Sequence, residues 1–165
     1  MSEQNNGGMD TSLLEGSVAV GDDGSENSAT AVAWALEDAN RRGVRLVVIR
    51  AWSITNAPRP AGSEPGYVPS EDEFSDAVRR EMASDLVSVL GATASNDDAS
   101  HGVVLMPAHC GAVDALVQSS RHALVTVVGA RGSGLARWLG SVSTDVVRSA
   151  HGPVVVVPDR ARSDG

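Results

Sequence analysis

The sequence predicts an α/β domain with an open parallel sheet. Short apolar runs of strand length alternate with longer segments in which apolar residues recur at helical spacing. Val, Ala and Leu supply most of the apolar residues, and aromatic residues make up only 3% of the chain, a balance typical of parallel strands packed between helices. Because parallel strands are joined by right-handed crossovers, we expect a single sheet with helices on both faces.

The first two strands and the helix between them follow from apolar runs and turn residues. Residues 17–21 form a short apolar run that ends at acidic and glycine turn residues, which indicates a buried strand. Residues 28–42 carry apolar side chains at helical spacing and precede Gly43, a favoured helix stop. Residues 46–52 are rich in β-branched residues and predict the second strand.

The remaining elements continue the alternation. Four of the seven prolines lie between Ser53 and Pro69, so this segment is predicted as a long loop. Ser70 and Glu73 match a capping box at the start of a second helix that extends to Leu90. The later predicted elements are strand 103–106, helix 111–122, strand 124–128, helix 141–150 and strand 154–157.

The chain of 165 residues is expected to form one domain. We predict a flexible leader over residues 1–16, the folded domain over 17–158 and a tail over 159–165. The leader lacks the basic start and apolar run of a secretory signal, and no stretch approaches the ~20 apolar residues of a membrane span. The single cysteine, Cys110, agrees with a reducing compartment. A cytoplasmic protein without membrane contact is therefore expected.

Charge excludes several functions. The formal net charge of -8 opposes binding to nucleic acid, which depends on neutralising phosphates. All 13 basic residues are arginines, and the absence of lysine excludes a P-loop lysine or a Schiff-base lysine. No serine is marked as an activated nucleophile, so no catalytic residue is predicted.

Two polar clusters follow predicted strands and mark a candidate ligand site. The first is Gly21–Ser25 after strand one, and the second is Gly129–Gly134 after strand four. Ligands of open α/β sheets bind beyond the carboxyl ends of the strands. Gly140 and Ser141 begin the last predicted helix, where free N–H groups suit a phosphate. An ordinary strand-to-helix loop remains the alternative interpretation of the second cluster.

Five segments together resemble the universal stress protein family, in order and spacing, from Ser17 to Pro158. These segments are 20–25, 46–52, 127–132, 140–143 and 152–157. The resemblance implies a fold like that of the adenine nucleotide alpha hydrolases, with strand order 3-2-1-4-5. It also implies ATP as the ligand and a homodimer paired through the last strand, Val154 to Val157.

The resemblance also assigns candidate binding residues. In ATP-binding members the base and ribose lie near the ends of strands one and two, and the phosphates meet G-x-x-G followed by G-[ST]. The corresponding residues here are Gly21, Asp22, Asp23, Ala51, Val128, Gly129, Gly132, Gly140, Ser141 and Val142. Only seven residues, rather than the family's nine, separate Gly132 from Gly140. The phosphate loop is therefore predicted to be reshaped.

Several roles stay open at this point. Asp22 stands where the family has an apolar residue, and its carboxylate is interpreted as a solvated turn acid, a Mg²⁺ ligand or a group that repels phosphate. Asp23 is either a ribose contact or a turn residue that caps helix one. His109 and Cys110 have no second pair at metal-ligand spacing. Trp34, Trp52 and Trp138 are predicted to be packing residues, although Trp138 lies within the phosphate loop and is a candidate lid.

Three functions follow from these assignments. The first is an ATP-binding stress-response or signalling module that acts on an unidentified protein partner according to its bound nucleotide. The second is a dimeric interaction protein of the same fold that has lost nucleotide binding. The third is a slow Mg²⁺-dependent ATPase in which Asp22 or Asp23 positions the metal.

Overall fold

A parallel sheet forms the centre of the protein. The computed structural model describes residues 7–91, 102–130 and 139–158 of the chain. The strands in these ranges are β1 (Val18–Gly21), β2 (Leu46–Ala51), β3 (Val103–Ala108), β4 (Val125–Gly129) and β5 (Val154–Val157). Their order across the sheet is β3-β2-β1-β4-β5, and every adjacent pair is parallel. The predicted fold class and strand order are confirmed.

Helices cover both faces of the sheet. They are α1 (Glu26–Arg42), α2 (Glu71–Asp85), α3 (Val87–Leu90), α4 (Ala112–Ser119) and α5 (Ser141–Ser149), with a short 3-10 helix at Thr11–Leu13. On one face, Val32 of α1 and Met82 of α2 pack against the sheet in one apolar cluster. On the other face, Leu116 of α4 and Val146 of α5 belong to a second cluster. Two apolar layers therefore sandwich the sheet, as the periodicity predicts.

Helix ends follow local chemistry. Ser25 caps α1 by accepting a hydrogen bond from the Ser28 amide at 3.2 Å, and Gly43 ends it in the left-handed conformation at φ +65°. Ser70 and Glu73 form the predicted capping box of α2. The predicted helix over 70–90 is interrupted, because α2 ends at Asp85 and a separate turn, α3, follows Leu86.

The segment before β1 differs from the predicted flexible leader. Leu14 is 0% exposed and Met9 is 6% exposed, and both belong to the cluster shared with α4 and α5. Asp10 caps the 3-10 helix through the Ser12 amide at 3.0 Å, and Arg45 Nη1 donates to the Leu13 carbonyl at 2.8 Å. Burial of these apolar side chains holds the described part of the leader, from Gly7 onward, against the sheet.

The outer edge of β3 is only partly open to further pairing. The carbonyls of Gly102 and Ala108 accept bonds from the amides of Leu46 and Trp52. The backbone N–H and C=O groups of the odd-numbered residues of β3 therefore point away from β2. Among these, Pro107 has no N–H to donate, and the Leu105 carbonyl accepts a bond from Arg79 Nε at 3.4 Å. This edge therefore offers few free groups to another strand.

The outer edge of β5 is different. The carbonyls of Pro153 and Val157 accept bonds from Thr126 and Ala130, so the backbone groups of Val154 and Val156 face away from β4.

Among the described residues, no helix is both long and apolar enough to cross a membrane.

Candidate functional site

A cleft of about 760 Å³ opens at the carboxyl ends of β1, β2 and β4. It lies at the point where the sheet order reverses, between β1 and β4. Its volume falls within the range usual for small-molecule sites. The lining includes these predicted binding residues: Gly21, Asp22, Asp23, Ala51, Val128, Gly129, Gly140, Ser141 and Val142. Gly132 lies outside the described residues.

A buried ion pair forms one wall of the cleft. Gly21 pairs with Ile49 in the sheet, so the next residues, Asp22 and Arg50, stand side by side on the same face. The Asp22 side chain is 0% exposed, and its Oδ2 accepts bonds from Arg50 Nε at 3.0 Å and Nη2 at 2.5 Å. The interpretation of Asp22 as a solvated turn acid is wrong, because its carboxylate is enclosed and paired.

The second oxygen of Asp22 organises the turn after β1. Oδ1 accepts bonds from the Gly24 amide at 3.0 Å and from the Ser28 hydroxyl at 2.9 Å. Each carboxylate oxygen thus accepts two hydrogen bonds, which uses all of its ordinary acceptor positions. Asp22 therefore has no free oxygen for a magnesium ion.

Asp23 lies at the rim of the cleft beside this pair. Its Oδ1 accepts the Ser25 amide at 2.9 Å, whereas Ser25 itself caps α1. Asp23 is therefore a turn residue and does not cap the helix. Partial burial works against its charge, but hydrogen bonds from Ser25 and Ser28 outweigh that effect and lower the pKa of Asp23. An ionised acceptor thus faces the rim at neutral pH.

Arg50 also reaches α2, on the far side from Asp22. Its Nη1 lies 2.9 Å from Asp85 Oδ2 and 3.5 Å from Glu81 Oε2. Burial opposes the charge of the guanidinium, but Asp22 and Asp85 together raise the pKa of Arg50. Sequence reasoning did not identify Arg50 as a site residue. The available signal was an arginine inside an otherwise apolar strand.

The opposite end of the cleft is built from backbone. Gly140 is the N-cap of α5, and no side chain of the described residues caps this helix. The Gly140 amide donates to the Ala130 carbonyl at 2.7 Å, and the buried Ser143 hydroxyl lies 3.1 Å from the same oxygen. These bonds hold the start of α5 beside the end of β4. Within the described ranges, the first N–H groups of α5 therefore remain available to an anion at the cleft.

Basic side chains within the described ranges add little positive charge at this end of the cleft. Arg148 lies in the last turn of α5, so the length of the helix separates it from the cleft. Arg131 and Arg137 lie outside the described residues.

The roof of the cleft is the long loop after β2. Its residues Asn56, Ala57 and Pro58 line the cavity. Trp52, which begins the loop, is buried and stacks on the His109 ring with 4.1 Å between centroids. His109 Nδ1 also lies 3.1 Å from Glu71 of α2. Trp52 is thus a packing residue, as predicted, and Trp138 lies outside the described residues.

No group of three or more His, Cys, Asp or Glu side chains in the described ranges is arranged to hold a metal. His109 instead has the ring and carboxylate contacts given above, and its backbone N–H donates to the Gly7 carbonyl at 2.8 Å. These contacts make it a structural residue at the end of β3.

Comparisons with known proteins agree on one family. The profile of the universal stress protein family matches residues 16–158. A universal stress protein of Mycobacterium tuberculosis is 34% identical over 160 residues, covering 88% of this chain and 49% of that protein. A second one from the same species is 35% identical over 144 residues, covering 84% of this chain and 44% of its own. The chain spans about half the length of these curated relatives.

Solved structures give the same result. A universal stress protein in complex with cAMP is 25% identical with a TM-score of 0.58, covering 88% of this chain and 98% of that one. A universal stress protein from Archaeoglobus fulgidus in complex with dAMP is 24% identical with a TM-score of 0.54, covering 87% and 98%. The second likeness concerns the fold alone. With the fold, the cleft and the family match in agreement, the chain belongs to the universal stress protein family.

Proposed function

We propose that the protein binds an adenine nucleotide in the cleft and acts as a stress-response or signalling module whose partner contacts depend on that nucleotide. The observation that carries the proposal is the uncapped start of α5, which lines the same cleft as the ionised rim at Asp23. Free N–H groups suit a phosphate, and a carboxylate suits a ribose hydroxyl. The neighbour solved in complex with cAMP supports an adenine nucleotide as the ligand.

The proposed ligand is ATP, with Mg²⁺ bound through its phosphates. Gly21, Asp23 and Ala51 line the part of the cleft at β1 and β2, where we place the base and ribose. The phosphates would meet the end of β4 and the start of α5. The residues proposed for this part are Val128, Gly129, Gly132, Gly140, Ser141 and Val142. Asp22 contributes to the site through the wall it forms with Arg50.

Binding rather than turnover is the proposed activity. A magnesium-dependent ATPase needs a group that positions the metal, and the oxygens of Asp22 are already occupied by protein donors. The Asp23 carboxylate accepts the Ser25 amide through Oδ1 and lies at the rim of the cleft. It is better suited to accept a hydroxyl hydrogen bond than to hold a metal alone.

Ser141→Glu tests the nucleotide site. The new carboxylate would stand at the start of α5, where it stabilises the helix but repels a phosphate. Ser149→Glu is the matched control, because Ser149 is also exposed and ends the same helix away from the cleft. Isothermal titration with Mg-ATP should show binding to the unmodified protein and to Ser149→Glu, with at least about tenfold weaker binding to Ser141→Glu.

The same titration separates the alternatives. Absence of binding to the unmodified protein at millimolar Mg-ATP, AMP and cAMP would favour the interaction protein that has lost nucleotide. Phosphate release above background that is lost in Asp23→Ala would instead favour the slow ATPase.

We further propose that two copies pair through β5. The outward backbone groups of Val154 and Val156 are free to form hydrogen bonds with a second β5. Exposed apolar side chains at Val142 and Val147 of α5 lie on the adjoining helix. Val156→Pro removes one outward N–H while leaving the bonds to β4 at Pro153 and Val157 in place. Light scattering should report a dimer for the unmodified protein and a monomer for this variant, whereas unchanged mass would contradict the proposal.

A further inference from the structure

The wall of the cleft contains a charge network that neither the resemblance nor the family match assigns. Three carboxylates, from Asp22, Glu81 and Asp85, surround the single guanidinium of Arg50. These groups come from three elements: the turn after β1, the strand β2 and the helix α2. Arg50 is the one residue that contacts all of them within the described ranges.

A chain of hydrogen bonds leads from this guanidinium to Asp23. Arg50 holds Oδ2 of Asp22, and Oδ1 of Asp22 accepts the Ser28 hydroxyl at 2.9 Å. The same Ser28 oxygen accepts the backbone N–H of Asp23 at 3.3 Å. Two bonds from Asp22 and Ser28 therefore fix where the Asp23 backbone lies.

The turn after β1 lies next to the guanidinium. Gly24 adopts φ +80°, and a Cβ placed there would be in ordinary contact with Arg50 Nη2 at 3.6 Å and Asp85 Oδ2 at 3.5 Å. Its amide donates to Asp22 Oδ1 at 3.0 Å. The left-handed glycine therefore lets the turn bend back beside the ion pair, and its amide bond ties the turn to Asp22.

The buried Asp22–Arg50 pair is an inefficient source of folding stability. Burying two charges costs desolvation that their attraction only partly recovers, and apolar residues of similar volume serve stability equally well. A role in geometry explains the pair better, because charged hydrogen bonds have strict direction.

We propose that Arg50 is a positioning residue for the nucleotide site: through Asp22 and Ser28 it places the Asp23 carboxylate where it accepts a hydrogen bond from a ribose hydroxyl of the ligand. This inference rests on the proposed nucleotide function. To that function the inference adds the residue that positions the sugar contact and the hydrogen bonds that hold it. Arg50 itself need not touch the ligand.

A double-mutant cycle tests whether Arg50 acts through Asp23. Mg-ATP affinity is measured for the unmodified protein, Arg50→Met, Asp23→Ala and the combination. Arg50→Met and Asp23→Ala should each weaken binding by about tenfold, and together by little more than either alone, since residues in one network are not additive. Effects that multiply to about a hundredfold would overturn the proposal, because independent sites add in free energy.

The sugar supplies a readout that a purely structural role would not change. The unmodified protein should bind ATP more tightly than its 2′-deoxy or 3′-deoxy analogue, and Arg50→Met should remove that preference. Arg79→Met is the matched control, because Arg79 of α2 also contacts the sheet, through the Leu105 carbonyl, and also pairs with a carboxylate, Asp76 of its own helix, outside the cleft lining. It should keep both affinity and preference. A sugar preference that survives Arg50→Met would overturn the proposal.

A second variant guards against loss of folding in Arg50→Met. Asp22→Leu combined with Arg50→Met replaces the pair by apolar side chains, which commonly preserves stability. This protein should fold but bind ATP without sugar preference. If this protein recovers both the ATP affinity and the sugar preference of the unmodified protein, the pair serves stability alone and the proposal fails. If the unmodified protein binds no ATP, the nucleotide function itself fails first.

Discussion

The two ends of the cleft are built in opposite ways. At the β1–β2 end, side chains satisfy one another: Asp22 accepts four hydrogen bonds, and Arg50 spans three carboxylates. At the α5 end, the backbone of Gly140 is held to Ala130 at the end of β4, and no side chain in the described part of the chain caps the helix. Within the described residues, the first end is satisfied by the protein's own side chains, whereas the second keeps helix N–H groups free for the proposed anion. The contrast shows that side chains build the β1–β2 end of the site, whereas backbone groups build the α5 end.

The largest expected effect is at the completed end. Arg50→Met leaves the buried Asp22 carboxylate without its cation, so we expect the free energy of unfolding to fall by about 3–5 kcal/mol. Urea denaturation followed by circular dichroism measures the change. A loss below about 1 kcal/mol, as for an exposed pair, would show that the two ends differ less than their contacts indicate.

A smaller effect is expected at the α5 end. Ser143 is buried, and its hydroxyl contacts the carbonyls of Ala130 and Gly140 at 3.1 and 3.0 Å. Ser143→Ala removes these bonds, which should cost about 1 kcal/mol of unfolding free energy in the same denaturation experiment. Thr30→Ala is a control, because its hydroxyl makes a similar bond to Glu26 on an exposed surface. A loss equal to that of Arg50→Met would remove the contrast between the ends.

The smallest effect concerns acid. The pKa of Asp23 is lowered in the folded protein, because hydrogen bonds from Ser25 and Ser28 outweigh partial burial. Its ionised form therefore adds stability that is present above the ordinary pKa and is lost as pH falls through the lower folded value. Asp23→Asn should reduce stability at pH 7 slightly and flatten its decline below about pH 4. Denaturation midpoints across this range measure the difference, and parallel curves would contradict it.

The fold was predictable because each element carries its own local signal. Apolar runs marked the strands, and Ser70 with Glu73 marked the start of α2. The interruption at Leu86 was not predictable from periodicity, since Leu86 and Leu90 both continue the apolar stripe and both are buried. The packed leader was missed for a related reason: Met9 and Leu14 are isolated apolar residues whose partners lie on distant elements.

The site was predictable only in part. Glycines at strand and helix ends located the cleft, and the resemblance named the residues that line it. The Asp22–Arg50 pair depends on the register between β1 and β2, which neither strand states alone. The position of Asp23 is equally hard to predict, because its backbone N–H is held by the Ser28 hydroxyl in the first turn of α1. Side-chain networks that join several elements need three-dimensional placement.

The outer edge of β3 bears on how large an assembly could grow. Pro107 has no N–H to donate, and Arg79 Nε contacts the Leu105 carbonyl, so few free groups face outward there. If two copies pair through β5 as proposed above, the two ends of the combined sheet are the two β3 edges. A third copy would find few groups to pair with, so the proposed assembly is expected to stop at two copies.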